Sequence, residues 1–422
     1  KLEMIKNKAL FYRLFFFVLS LFLYLFYLST QYIINFWTFS QAHINYSDGF
    51  VKRGLFGTIA LLMEDKLNIK FINTFNLFFI FFYLINIILY FKLIKNYLNF
   101  SFILFFLALS PTLIIFSFND LGGFQRFDVI SIFLILFHSY IANLLRSKKI
   151  SFQRYRKQFS FIIFPISLIS IFIHEIQCWS IPFHFFLIKS IYDESNKALN
   201  ELIYFFSILL LASILVFSIP VELNLINSMI DKLDERGLWG GAMSVASSSE
   251  GNLNIINYEL KTNLLNIYNL KINLFFLITG VLPFHFLFNH FIKNNAINVA
   301  NNNFIYFYLS IFPYLAFFAI GDTGRWLHII SMVSFSFFAQ YPIINSNKEF
   351  LKIKSSILRV IFLIIIVVYC FFIRLPHGGN LEEKKISIWG GLHKKFEAAY
   401  KIYLIDNDED KFKFDKRFKK ND

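Results

Sequence analysis

The feature that most constrains this chain is the absence of charge from long stretches of it. Runs such as Phe71 to Tyr90 and Ile357 to Ile373 hold Phe, Ile, Leu and Val with almost nothing ionisable. They approach the ~20 residues that cross ~30 Å of hydrocarbon. The expected fold is therefore all-α and polytopic, in a membrane. A β-barrel would show alternating segments of ~10 residues, which the sequence lacks.

At 422 residues, 57% hydrophobic and 20% aromatic, with mean hydropathy +0.56, the chain is excluded from the soluble multi-domain class. A net charge of +14 would suggest nucleic acid in a soluble protein. Here the basic residues lie in connections and in the tail, where they orient the chain and meet anionic headgroups. Membrane lipids are the expected partner and nucleic acid is not. The two cysteines, Cys178 and Cys370, sit in or beside apolar runs and read as buried thiols. Met4 reads as the natural start, with Lys1 to Glu3 extraneous and no cleavable signal peptide.

Apolar runs place about 11 spans near 11–34, 72–92, 101–117, 127–145, 159–173, 176–190, 202–219, 273–292, 304–320, 327–344 and 355–374. They make one transmembrane domain over 1–374, followed by a short basic tail over 375–422. The connection after span four carries Arg146, Lys148, Lys149, Arg154, Arg156 and Lys157, so it is expected in the cytoplasm. Counting from there puts the N-terminus inside as well. The connections 35–71, 118–126, 174–175, 220–272 and 321–326 fall outside, together with the tail. Basic tail residues such as Lys394 and Lys416 run against the charge rule, which distal segments follow weakly. Trp37, Trp179, Trp239 and Trp326 fall near the outer boundary, as an aromatic belt would.

Two outer connections have features of their own. Gly54 to Met63 is apolar but too short to span, which suits a re-entrant or interfacial helix. Gly237 to Glu250, rich in Gly and Ser, reads as a mobile flap over a site.

The charges beside the spans gather in four polar knots, all on the outer side of this count. An ionisable group at membrane depth is costly, so each knot is a functional hypothesis. In the first, Asp48 suits a general base with a raised pKa, or a plain Asp-Gly turn. Lys52 and Arg53 follow it. Arg offers a planar fork and Lys a point charge to phosphate, and the alternative is a pair of snorkelling anchors. In the second knot, Arg126 and Asp128 flank the start of a span, where Asp128 serves either a ligand or an internal ion pair with Arg126 or Arg325. The third, His174-Glu175, suits sugar hydroxyls, acid–base work, a metal, or a satisfied polar pair between helices. It lacks the second His of a zinc signature. In the fourth, Asp322 orients Arg325, Arg325 takes phosphate, and Trp326 stacks on a sugar or anchors at the interface.

This arrangement resembles the GT-C superfamily of membrane glycosyltransferases. The likeness rests on Asp48 after span one, the re-entrant segment after it, the span count and the outward Arg residues. The run Tyr46-Ser-Asp-Gly-Phe-Val-Lys-Arg-Gly54 is also similar to a motif in membrane proteins of surface-polysaccharide gene clusters. The resemblance implies a GT-C-like bundle in a bacterial cytoplasmic membrane, with its active site on the extracytoplasmic face. It implies a polyprenyl-phosphate or polyprenyl-pyrophosphate sugar donor and a glycan or lipid-linked acceptor. It also implies Asp48 as base, with Lys52, Arg53, Arg126 and Arg325 on the donor phosphate. His174, Glu175, Asp128, Asp322 and Trp326 would then line the substrate site. Many members carry a second acid beside the first, but here Asp48 is followed by Gly49, which leaves cofactor and metal dependence open. An O-antigen-type polymerase would lean on its external arginines instead. A lipid-linked glycan flippase, or another transporter, would want charges near the midplane. A non-enzymatic scaffold would not need several acid–base pairs on one side.

Overall fold

A computed structural model of the chain describes residues 12–24, 26, 36–95, 109–119, 125–194, 200–218, 222–235, 243, 267–293, 303–318 and 323–342, with scattered positions between 360 and 375. Every regular element among them is helical. In chain order these are α1 (Tyr12–Tyr24), α2 (Phe36–Ala42), α3 (Gly54–Leu67), α4 (Phe71–Ile94), α5 (Asp128–Arg146) and α6 (Phe152–Ile173). A 3-10 turn, Glu175–Ser180, then leads into α7 (Ile181–Glu194). After it come α8 (Asn200–Ser218), α9 (Leu223–Glu235), α10 (Ile267–Lys293), α11 (Asn303–Phe318) and α12 (Thr323–Ala339).

Among the described residues, α4, α5 and α6 are long and apolar enough to cross a membrane, and α8 with α9 makes a fourth if taken as one bent span. At 1.5 Å per residue, the 24 residues of α4 reach about 36 Å. The 19 of α5 reach about 28 Å. α5 is the central element. It packs against α4, α6, α7 and α12, and its buried side chains point in every direction. The helix is buried on all its faces, and the surround is protein.

Several expected boundaries move. The run 101–117 does not stay helical through its described end: residues 109–115 form turns, and only Phe116–Asn119 coil into a short helix. Pro111 explains this, since it lacks an N–H and disfavours helical backbone at Ser110. α6 begins at Phe152, seven positions before the expected 159, inside the stretch assigned to a cytoplasmic connection. Ser151 starts it by accepting a hydrogen bond on Oγ from the Arg154 N–H at 3.2 Å. A π-turn at Phe159–Ile163 then keeps the helix continuous to Ile173. His174 ends it with extended backbone, φ −161. α9 occupies part of the connection 220–272 that was expected outside, and the expected flap Gly237 to Glu250 lies, Met243 apart, outside the described residues. Most of 236–266 and of 355–374, the start of 101–117, and the tail beyond Leu375 lie outside the described residues.

α3 forms where the re-entrant helix was expected. It lies against the chain segment before it, where an ideal Cβ on Gly57 would fall 2.1 Å from the Ile44 carbonyl oxygen. Only glycine admits that approach. Thr58 Oγ1 adds a stitch, accepting from the Tyr46 N–H at 2.8 Å. Phe56 and Ala60 face the core, while Ile59, Leu62 and Leu67 stand exposed on the other side. Asn68, in left-handed backbone, closes the helix.

Candidate functional site: two arginine–carboxylate forks around His174

Five of the described polar side chains of the knots meet where α3, α5, α12 and the turn after α6 converge. Arg53 stands at the N-terminal end of α3 with φ 66, a left-handed conformation uncommon for a residue with a Cβ. Its guanidinium forks onto Glu175: Nε donates to Oε2 at 2.7 Å and Nη2 donates to Oε1. Glu175 opens the 3-10 turn that follows α6. Across the site, Arg325 in the first turn of α12 forks onto Asp128 in the first turn of α5. Its Nη2 donates to Oδ1 at 2.5 Å and its Nε to Oδ2. A carboxylate at a helix N-terminus is also favoured by the helix dipole.

His174 stands between the forks. Its Nε2 lies 3.4 Å from Arg325 Nη2, and its Nδ1 lies 3.7 Å from Glu175 Oε2. Nδ1 also takes the Ile176 N–H at 3.2 Å. Burial, with the Arg53 charge next, depresses the imidazole to about 3, so it is neutral at ordinary pH. Burial pulls the Glu175 carboxyl upward, but the Arg53 charge and fork outweigh it and hold the group well below the usual carboxylate range. The two pairs differ in access. The Glu175 side chain is 18% exposed and that of Asp128 only 6%.

Thus Arg53, Asp128, His174, Glu175 and Arg325, drawn from four separate knots, form one contiguous cluster. Arg126 lies two residues before Asp128 and its charge acts on it. Lys52, partly exposed, is next to Arg53 in sequence. Over these described groups the sum is +4 (Lys52, Arg53, Arg126, Arg325) and −2 (Asp128, Glu175), leaving +2 with His174 neutral. Trp326 is buried in the core at 8% exposure, with the Arg325 guanidinium 5.7 Å from its ring centre. It offers no open face for stacking. Asp322 lies outside the described residues.

Asp48 stands differently from expectation. It is exposed, and its Oδ2 takes Lys232 Nζ of α9 at 2.7 Å. That bond lowers its pKa, so the upward shift expected of a buried base is absent. α9 is held over this region by Ile226, Met229 and Leu233, packed on Ile44, Val51 and Met243. Lys232 was missed in the sequence, although the spacing of Ile226, Met229 and Leu233 carries the signature of an amphipathic helix.

A second set of polar groups lies deeper. Ser131 Oγ donates to Gln177 Oε1 at 2.6 Å, and His138 Nδ1 meets His184 Nδ1 at 2.8 Å. His138 Nε2 bonds the Tyr155 hydroxyl at 2.7 Å. Further on, Arg146 donates to Ser190 Oγ at 2.9 Å and to Gln340 Oε1 at 2.6 Å. His184 is thus one rung of a polar seam between α5 and α7. Among the described residues, no three His, Cys, Asp or Glu side chains are grouped as a metal-ligand set. No family model, curated protein or solved structure matches this chain.

Proposed function

We propose that this chain is a membrane-embedded, inverting glycosyltransferase. It moves a sugar or oligosaccharide from a polyprenyl-phosphate or polyprenyl-pyrophosphate donor to a glycan or lipid-linked acceptor, on the outer face of a bacterial cytoplasmic membrane, in the synthesis of cell-surface polysaccharide. The observation that carries the reading is the meeting of two arginine forks at the ends of apolar helices, with a net positive balance around them. Planar guanidinium donors fit phosphate oxygens at two points. Beside them α3 presents exposed Ile59, Leu62 and Leu67, an apolar surface suited to a lipid tail. The architecture this reading implies is a GT-C-like bundle of about eleven spans.

The test is reconstitution of the full chain in liposomes with a panel of undecaprenyl-phosphate- and undecaprenyl-pyrophosphate-linked sugars, followed by mass spectrometry of the products. Transfer that falls at least about a hundredfold in Arg53→Ala, from the loss of a bidentate contact and the orphaning of Glu175, supports the reading. Asp48→Asn ranks the sibling activities. A transferase that uses Asp48 as its base loses activity with it, whereas an arginine-dependent polymerase, or a transferase with its base elsewhere, keeps it.

One observation favours transport as a second reading. His138 lies ten residues along α5 from Asp128 (138 − 128), about 15 Å at 1.5 Å per residue, or half the ~30 Å of a bilayer core. Its chain to His184 and Tyr155 therefore puts polar groups at mid-depth. Movement of a fluorescent lipid-linked sugar between leaflets, with no transfer from any donor, would favour a flippase.

A further inference from the structure

We infer that Glu175 is the proton acceptor of the transfer reaction, and that an anionic phosphate unmasks it by taking its place on Arg53. The inference rests on the reading above and extends it to the order of events at the site.

Both arginines suited to phosphate are already occupied by carboxylates. A donor phosphate must therefore compete with one of them. The Arg53–Glu175 fork is the one positioned to yield. The Glu175 side chain is 18% exposed against 6% for Asp128, and it stands at the first position of a short 3-10 segment. Asp128 is built into the first turn of the central helix. Arg53 holds left-handed backbone in the turn that opens α3, a position from which its fork reaches across 122 residues of sequence to Glu175.

Once phosphate holds Arg53, Glu175 is a largely buried carboxylate without its main counter-charge. Burial then raises its proton affinity. In the paired state His174 lies beside it, neutral, with Nδ1 3.7 Å from Oε2. The acceptor O–H gives its proton to Glu175 as its oxygen bonds to the anomeric carbon. The bond from that carbon to the phosphate oxygen breaks, and its electron pair leaves on the phosphate. Arg53 stabilises that growing charge. Asp48 is less suited to this step, because it is exposed and bonded to Lys232.

The experiment is binding of undecaprenyl phosphate in detergent micelles by the full-length chain, with undecaprenol as the uncharged control. Wild type should bind the phosphate and not the alcohol. Glu175→Gln removes the competing charge and should bind about tenfold tighter, the value of roughly one charge-assisted contact. Glu175→Asp, which keeps the charge but shortens its reach, should shift affinity the same way by less, and it covers the case in which the glutamine variant fails to fold. Arg53→Gln should bind at least about tenfold more weakly. In the transfer assay Glu175→Gln should lower KM and kcat together. Unchanged or weaker phosphate binding in both Glu175 variants, with wild type binding normally, overturns the inference and leaves the glycosyltransferase reading in place. Absence of phosphate-dependent binding by wild type overturns both.

Discussion

Arg325 Nη2 stands 3.4 Å from His174 Nε2 while the same nitrogen donates to Asp128 Oδ1 at 2.5 Å. A guanidinium so placed disfavours a second positive charge on the imidazole. The sign of the pH response follows. His174 is neutral in the fold down to about 3, whereas the unfolded chain takes up its proton near 6.5. Between those values the unfolded state binds more protons, so stability rises with pH across the window and is lost as pH falls through it. The melting temperature of wild type should drop between pH 7 and pH 4 by more than that of His174→Gln. Parallel curves for the two proteins would show that another group governs the acid limb.

The close approach at Gly57 sets a second outcome. Gly57→Ala puts a methyl 2.1 Å from the Ile44 carbonyl oxygen and 2.6 Å from that of Ala42. Both obstacles are backbone, so α3 must lift. The cost should be about 1–3 kcal/mol, as for overpacking elsewhere, read as a lower melting temperature. The contrast is Ile59→Ala on the exposed face of α3, which should stay within about 0.5 kcal/mol.

The His138–His184 rung should behave as a pair. His138→Phe leaves His184 Nδ1 and the Tyr155 hydroxyl buried without a partner, at about 1–3 kcal/mol for each stranded group. The double variant His138→Phe, His184→Phe strands only Tyr155. It should therefore be less destabilised than the sum of the single variants. A thermal double-mutant cycle measures the difference. Strict additivity would mean that the two rings do not interact.

α9 separates apolar anchoring from charge. Leu233→Ala should cost about 2–5 kcal/mol of local packing and free the helix to protease. Lys232→Ala removes only an exposed ion pair with Asp48 and should leave the digestion pattern unchanged. Equal sensitivity in both variants would make the ion pair, not the apolar face, the anchor.

Much of this was legible because lipid makes charge expensive. The apolar runs marked α4 and α5 to within two residues at either end, and each of the four polar knots beside the runs supplies a residue to the cluster around His174. The pairing was only partly legible. Arg325 was weighed as a partner for Asp128, but nothing in the sequence tied Arg53 to Glu175, because the 122 residues between them carry no local signal. The surroundings of Asp48 were hidden for a related reason. The Asp-Gly step shows a turn and says nothing of Lys232, which reaches it from 184 residues away. The start of α6 was missed because Arg154, Arg156 and Lys157 read as a charged connection, although Ser151 before them is a good cap.

The rungs that α5 makes with α7 and with the 3-10 segment leading into it carry a mechanical consequence. Ser131–Gln177 and His138–His184 share one offset of 46 residues, and Arg146–Ser190 lies two residues from it at 44. A slide of one helix past the other by a single turn would break all three together. The two helices therefore form a rigid keel. Any opening at the cluster around His174 then has to come from the parts leaning on that keel, with α3 and α9 moving while α5 and α7 hold still.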